Sequence, residues 1–302
     1  MAETTNQNGR ATSSAALPYA WMLCGSFAFA LMGIQARAAN DFGCEWPVVA
    51  LARALLPLLF GMAVARAAGA RLVLWRPRVL WIRSIAGSIS LVCTFYALTH
   101  LNVADVFTVT NMFPIWVAVL SWPLLGESPP RSVWLSVACG VAGVWLIHEP
   151  SLAGADWIIL IAVAASFSTA VAMLGLHRLQ ELDTWAIVVH FSAVALCFCL
   201  GVILIRGVDT RISALDARIW WLLLGIGATA TVGQLCLTKA FVAGAPGKVS
   251  VVALAQVPFA LALEWTIWQR SIDAVTVLGI LLVLAPTAWV MVSNRSEGQL
   301  FD

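Results

Sequence analysis

The sequence predicts an all-α membrane protein, ten transmembrane helices laid out as two inverted five-helix repeats. Three observations lead there. The 302 residues are 61% hydrophobic and only 11% charged, with a mean hydropathy of +0.92. A soluble domain carries roughly a quarter charged residues and could not hide this much apolar surface from water. Apolar stretches of bilayer length recur from end to end. Residues 96–130 and 239–273, "YALTHLNVADVFTVTNMFPIWVAVLSWPLLGESPP" and "KAFVAGAPGKVSVVALAQVPFALALEWTIWQRSID", repeat one layout of short connection, proline-broken helix, polar turn and further helix.

Crossing a bilayer takes about 20 apolar residues. Such stretches lie at 17–36, 47–68, 79–99, 103–125, 132–148, 156–176, 184–205, 219–240, 248–268 and 272–292. None alternates with period two, which excludes a membrane β-barrel. Most connections are short, so successive spans run antiparallel. Residues 1–16, MAETTNQNGRATSSAA, are small and polar, without the charged, apolar and cleavage regions of a signal peptide. They are expected as a disordered cytoplasmic tail. The repeats then occupy 17–150 and 151–293, with a second cytoplasmic tail at 294–302. At an offset of 143, Trp122 meets Trp265, Leu120 meets Leu263 and Ser128 meets Ser271. Five spans per repeat is odd, so the second copy enters the membrane from the other side, a plan used by secondary transporters.

Orientation follows from lysine and arginine in the connections. With the N-terminus inside, the inner side holds Arg10, Arg66, Arg71, Arg76, Arg78, Arg83, Arg131, Arg178, Lys239, Lys248 and Arg295. The outer side holds Arg37, Arg206, Arg211, Arg218 and Arg270. Both termini are expected to be cytoplasmic. The net charge of +2 implies no nucleic-acid partner. Of the seven cysteines only Cys44 lies in a connection; the rest read as small apolar packing groups, and no Cys/His spacing suggests a metal.

Polar residues inside spans need a cavity or a partner, so their phase is informative. Span 1 offers Ser26, Ala30, Gly33 and Arg37. Arg53 in span 2 could pair with Asp41 or Glu45 or meet a solute. Span 3 offers Ser84 and Ser88, span 4 Thr108 and Asn111, span 6 Ser166, Thr169 and Met173. His190 in span 7 reads as a satisfied buried histidine. Span 8 has the clearest stripe: Thr231, Gln234 and Thr238. Pro114 and Pro258 each remove an N–H in mid-span, freeing the carbonyls of Thr110 and Leu254. Asn111 and Gln256 stand beside those prolines. Expected solute ligands are Gln234, Thr238, Asn111, Thr108, Gln256, Ser88 and Ser166, with Pro114 and Pro258 as hinges. The bland alternative for the hydroxyl residues is helix packing. Glu264 lies about 6 Å below the outer surface at 1.5 Å per residue. It either snorkels into an interfacial belt with Trp265 and Trp268 or lines the outer mouth, where it would exchange a proton or hold a cationic substrate group. Fifteen tryptophans suggest an aromatic site, yet Trp46, Trp75, Trp81, Trp134, Trp157, Trp220 and Trp221 sit near span ends, where anchors sit.

The stretches "VVALARALL", "RSIAGSISLVCTFYALTHLNVADV", "PLLGESPP", "GQLCLTKAFVAGAP" and "AQVPFALALEW" resemble the EamA-type branch of the drug/metabolite transporter superfamily over nearly the whole chain. The resemblance implies a ten-helix inverted-repeat carrier in a bacterial inner membrane. It would move a small organic metabolite such as an amino acid, S-adenosylmethionine or riboflavin. Two departures stand out: Arg270 falls where the repeat would place an acid opposite Glu127, and Glu264 falls where members usually carry a small or apolar residue.

Secondary transport by alternating access is the leading expectation. The partners are a small-molecule substrate, the lipid bilayer, and protons or an exchanged solute, with no cofactor. A channel or scaffold remains the alternative. An intramembrane enzyme is disfavoured, because there is no P-loop, H-E-x-x-H, G-x-S-x-G or paired intramembrane carboxylate. The expected site lies near the midplane among spans 1, 3, 4, 6, 8 and 9.

Overall fold

In the computed structural model the residues described are 4–67, 69, 72–73, 75–98, 100, 103–126, 128–148, 156–206, 217–269 and 273–297. All the regular structure among them is α-helical. The helices are α1 (Thr4–Asp41), α2 (Trp46–Ala67), α3 (Arg78–Leu98), α4 (Val103–Thr110), α5 (Phe113–Leu125), α6 (Arg131–His148), α7 (Asp156–His177), α8 (Thr184–Arg206), α9 (Ala217–Ala243), α10 (Pro246–Ala253), α11 (Gln256–Trp268) and α12 (Ala274–Glu297). The segment expected as a tail is helical from Thr4 onward, and the bilayer-length part of that helix is Ala16–Asp41.

Eight stretches among the described residues are long and apolar enough to cross a membrane; Arg131–Leu146 and Ala274–Trp289 are shorter apolar helices. Two of the eight, Val106–Leu125 and Pro246–Ile267, are each broken in the middle. The breaks sit where the prolines were expected to put them. Pro258 has no N–H to give the Leu254 carbonyl, and the ladder tightens instead: Val257 N–H donates to Leu254 O at 3.0 Å, and Ala255 N–H to Val252 O at 3.1 Å. The Leu254 carbonyl is therefore not left free, a correction to the sequence expectation. The carbonyl reached from outside the helix is Ala253 O, which accepts from Ser26 Oγ of α1 at 3.3 Å. Before Pro114 the same tightening appears, with Met112 N–H on Val109 O at 3.1 Å.

The interior is mostly apolar with polar side chains set into it, and the outer surface, unlike that of a soluble protein, is apolar as well. Large apolar groups point outward, with Ile205 87%, Leu204 82% and Trp122 70% exposed. Serine, threonine and amide side chains turn inward, including Ser26, Ser84, Ser88, Thr108, Gln234 and Thr238. Hydrocarbon solvates leucine as well as a protein core does, so helices associate through small residues and internal hydrogen bonds. The principal packings are α1 on α9, α3 on α7, α2 on α8 and α6 on α12.

Candidate functional site

Beneath this packing, α2, α3, α8 and α9 enclose a cavity of about 10 Å³, walled by Arg53, Pro57, Leu91, Phe191, Ser192 and Gln234 among others. That is the room one water needs. Each polar wall residue has a local reason to be there. Gln234 sits one turn before Thr238 on the buried face of α9; its Nε2 reaches Thr238 Oγ1 at 3.4 Å, while Thr238 Oγ1 donates to the Gln234 carbonyl at 2.7 Å. The threonine hydroxyl is thus committed to its own helix, and the amide is held only loosely. Gln234 is 7% exposed and is the one expected ligand that borders this cavity.

The other expected ligands lie elsewhere in the bundle. Ser88 Oγ donates to Ser84 O at 2.8 Å, within α3. Asn111 Nδ2 donates to Phe107 O at 2.8 Å, closing the end of α4. Thr108 is buried on α4, and Gln256 is half-buried at the first turn of α11. Ser166 is buried on α7, and its hydroxyl has no hydrogen-bond partner among the described residues. Neither the α4–α5 span nor the α10–α11 span contributes a wall residue. The Thr231, Gln234 and Thr238 stripe is buried as expected, whereas Gly33 and Arg37 of the span 1 stripe are not, and the cavity draws its walls from α2 and α8 as well as α3 and α9.

Arg53 forms no ion pair with Asp41 or Glu45. Its guanidinium carbon lies 6.0 Å from the centre of the Phe29 ring. Arg83 was counted in the cytoplasmic connection, and here the structure corrects the reading. Its side chain is 1% exposed inside the bundle, with the guanidinium carbon 4.0 Å from the Phe191 ring centre. Neither Nε nor Nη1 has a hydrogen-bond partner among the described residues. Gly87 makes the stack possible, since a Cβ there would stand 2.7 Å from Arg83 Nη1 and 2.8 Å from Phe191 Cε2. One helical turn separates them, "RSIAG", and that spacing of arginine and glycine is the signal the charge count passed over.

His190 is 4% exposed and satisfied, as expected: its Nδ1 is 2.8 Å from Ser84 Oγ, and Trp81 packs edge-on at 4.7 Å. Glu264 is neither bare nor merely snorkelling. Its Oε1 accepts from Arg37 Nη1 at 3.0 Å, tying the end of α11 to the end of α1; the two side chains are 19% and 50% exposed. The side chains of Asp105, Glu127 and Arg270 lie outside the described residues. No group of three or more metal-ligating side chains occurs among the described residues.

A helical bundle apolar on its outer surface, with a polar seam buried at its centre, defines a multi-pass membrane protein. The EamA-like transporter family matches residues 16–148 and again 155–292. The chain belongs to that family, and with it to the transporters rather than the enzymes. It is 29% identical over 275 residues to the "Pseudopaline exporter CntI" of Pseudomonas aeruginosa (strain UCBPP-PA14), covering 90% of this chain and 94% of that one. It is 25% identical over 215 residues to an "uncharacterized transporter" of Helicobacter pylori (strain J99), covering 68% and 70%. A solved crystal structure superposes with a TM-score of 0.75 over 90% of this chain and 98% of its own, at 17% identity, a likeness of fold.

Proposed function

We propose that the chain is a ten-span, inverted-repeat secondary carrier that moves a small organic metabolite outward by alternating access. The observation that carries this is the symmetry of the packing. Exchange the first five spans for the last five, and α1 on α9 becomes α7 on α3, α2 on α9 becomes α8 on α3, and α1 on α11 becomes α7 on α5. The α2–α8 and α6–α12 contacts map onto themselves, and all of these pairings occur. The cavity walls come from α2, α3, α8 and α9, a set that the exchange leaves unchanged. The two halves, 17–150 and 151–293, correspond to the two family matches, so the cavity lies between them, where rocking would open it to either side in turn. Direction rests on the likeness to an exporter. Gln234 is the central ligand. Thr238, Asn111, Thr108, Gln256, Ser88 and Ser166 line the path once the halves part, about the hinges at Pro114 and Pro258. Amino acids and related metabolites fit a path of amides and hydroxyls.

The decisive experiment is counterflow in proteoliposomes. Vesicles holding an unlabelled solute should take up its labelled form faster than empty ones, whereas a channel would show no such acceleration. Solutes for the assay come from a thermal-shift screen, since a ligand that binds only the folded state raises apparent stability.

Glu264 is proposed as the coupling group. Its carboxylate is held by Arg37, and loss of that pair would release α11 from α1. As the coupling group, its replacement in Glu264→Gln should flatten the pH dependence of counterflow. The half-exposed pair contributes about 0–1 kcal/mol, so thermal stability should barely move. A pH profile identical to wild type would remove Glu264 from coupling.

The membrane is proposed to be a bacterial inner membrane, with both termini cytoplasmic. Cys44 is a poor reporter of this, because it is 1% exposed and burial, helped by Glu45, pushes its thiol above the usual range. Thiolate is the reactive form, so an impermeant maleimide should leave Cys44 unlabelled at neutral pH. Asn40 is exposed at the end of α1. Asn40→Cys should label from outside intact cells, and labelling only after permeabilisation would invert the proposed topology.

A further inference from the structure

We infer that the transported solute is an anion bearing a carboxylate or phosphate group, and that Arg53 and Arg83, linked through Phe191, are its charge partners. The inference deepens the carrier reading and rests on it for the word "transported".

Three observations converge. First, Arg83 is a fully buried cation with two donor groups, Nε and Nη1, lacking partners among the described residues. Buried charges are almost always paired, and removing a guanidinium from water without an anion is among the costlier acts in a membrane interior. The ring face of Phe191 offsets part of that cost but takes up none of the N–H donors. Second, no acid among the described residues pairs with Arg83. Within the eight bilayer-length stretches the acidic residues are Asp41, the last residue of the first, and Glu264, near the end of the last. Glu264 is already paired with Arg37. Third, one ring links the two arginines, although Arg83 itself is not in the cavity wall. Arg53 is in the cavity wall, Phe191 is in the same wall, and Arg83 stacks on Phe191.

The placement along the helices suggests a sequence of contacts. Leu91 borders the cavity and Arg83 lies two turns earlier on α3, about 12 Å along the axis at 1.5 Å per residue. Arg53 stands seven residues into α2, and Arg83 five residues into α3. If those two spans run antiparallel, the cations are offset toward opposite faces of the membrane. Each opening of the halves would then present one arginine first, and an oxyanion would pass from one guanidinium to the other across Phe191. Arginine suits this task because its planar, permanently charged fork matches carboxylate and phosphate oxygens. Ser192 and Gln234, also in the wall, supply neutral hydrogen bonds to the rest of the solute.

The test uses the full chain in proteoliposomes preloaded with a uniformly labelled, desalted bacterial metabolite extract, with mass spectrometry of what leaves. Wild type, Arg53→Gln, Arg83→Met and Arg83→Lys are compared, and the thermal midpoint of each purified protein is measured with and without extract. The expected result is that the solutes released by wild type are acids and that Arg53→Gln and Arg83→Met slow their release about tenfold or more. Arg83→Lys, which keeps the charge but not the fork, should fall between. The fractions released separate carboxylates from phosphates. Without extract, Arg83→Met should melt higher than wild type, because it removes an unpaired buried charge; with extract it should lose the upward shift that wild type shows. Release of neutral or cationic solutes, equal in all four proteins, would overturn the anion and leave the carrier standing. No release, with an acid-dependent shift in wild type that Arg83→Met lacks, would overturn the carrier and leave the anion site. Neither release nor shift would overturn both. An Arg83→Met protein that melts lower than wild type would make Arg83 a structural residue and overturn its part in the site.

Discussion

Gly143→Leu is expected to leave little folded protein. Gly143 is on α6 where it crosses α12, and a Cβ there would stand 2.6 Å from the carbonyl oxygen of Gly279, 2.9 Å from Val283 Cγ2 and 3.0 Å from Leu282 Cβ. The nearest obstacle is backbone, so no rotamer change relieves it and the two helices must separate. Overpacking ordinarily costs about 1–3 kcal/mol, and this site belongs at or above the top of that range. Inside a bilayer the loss has no hydrophobic compensation, because close approach of small residues is itself the attraction between the helices. The measurement is the fraction still monodisperse after heating in detergent. Gly201→Leu is the control: nothing lies within 4 Å of a Cβ built there, and its melting should match wild type. Equal melting of the two variants would mean that α6 and α12 do not pack as described.

Gln234→Leu should separate function from stability in the opposite way. The substitution keeps the volume and deletes the one amide in the cavity wall. That amide's side-chain contact within the protein is a long 3.4 Å approach to Thr238, so the folded state loses little and melting should hold or rise. Transport should fall about two- to tenfold, since one hydrogen bond to a bound solute is worth about 0.5–1.5 kcal/mol and 1.4 kcal/mol is a factor of ten. Thr238→Val is the companion variant. Its hydroxyl bonds within its own helix, to Gln234 O at 2.7 Å, so it should affect transport far less. Full transport by Gln234→Leu would displace the site from this cavity.

Much of the architecture was legible in the residues because bilayer length and polarity are local properties. The proline breaks appear beside Pro114 and Pro258 because a missing N–H acts on its own helix. The Thr231, Gln234, Thr238 stripe faces inward because a 3.6-residue period fixes which side chains share a side. Arg83 was misread for the same reason that the rest was readable. In sequence it stands next to an arginine-rich connection, and α7 and α8, some ninety and more residues away, bring Gly175 and Phe191 against that end of α3 and take it out of water. Glu264 is a similar case: its partner Arg37 lies 227 positions earlier.

The sequence alone determined that this chain lives in a membrane, that its apolar stretches are helical and which family it resembles. Each of those follows from composition, period and short motifs that neighbouring residues carry. The tertiary structure alone decided which helices meet, and hence that the cavity is bounded by α2, α3, α8 and α9, that Glu264 has a cation, and that Arg83 finds no anion among the described residues. Pairing between distant spans depends on how helices pack across the bundle, and nothing in a linear stretch of residues encodes which other stretch will lie beside it.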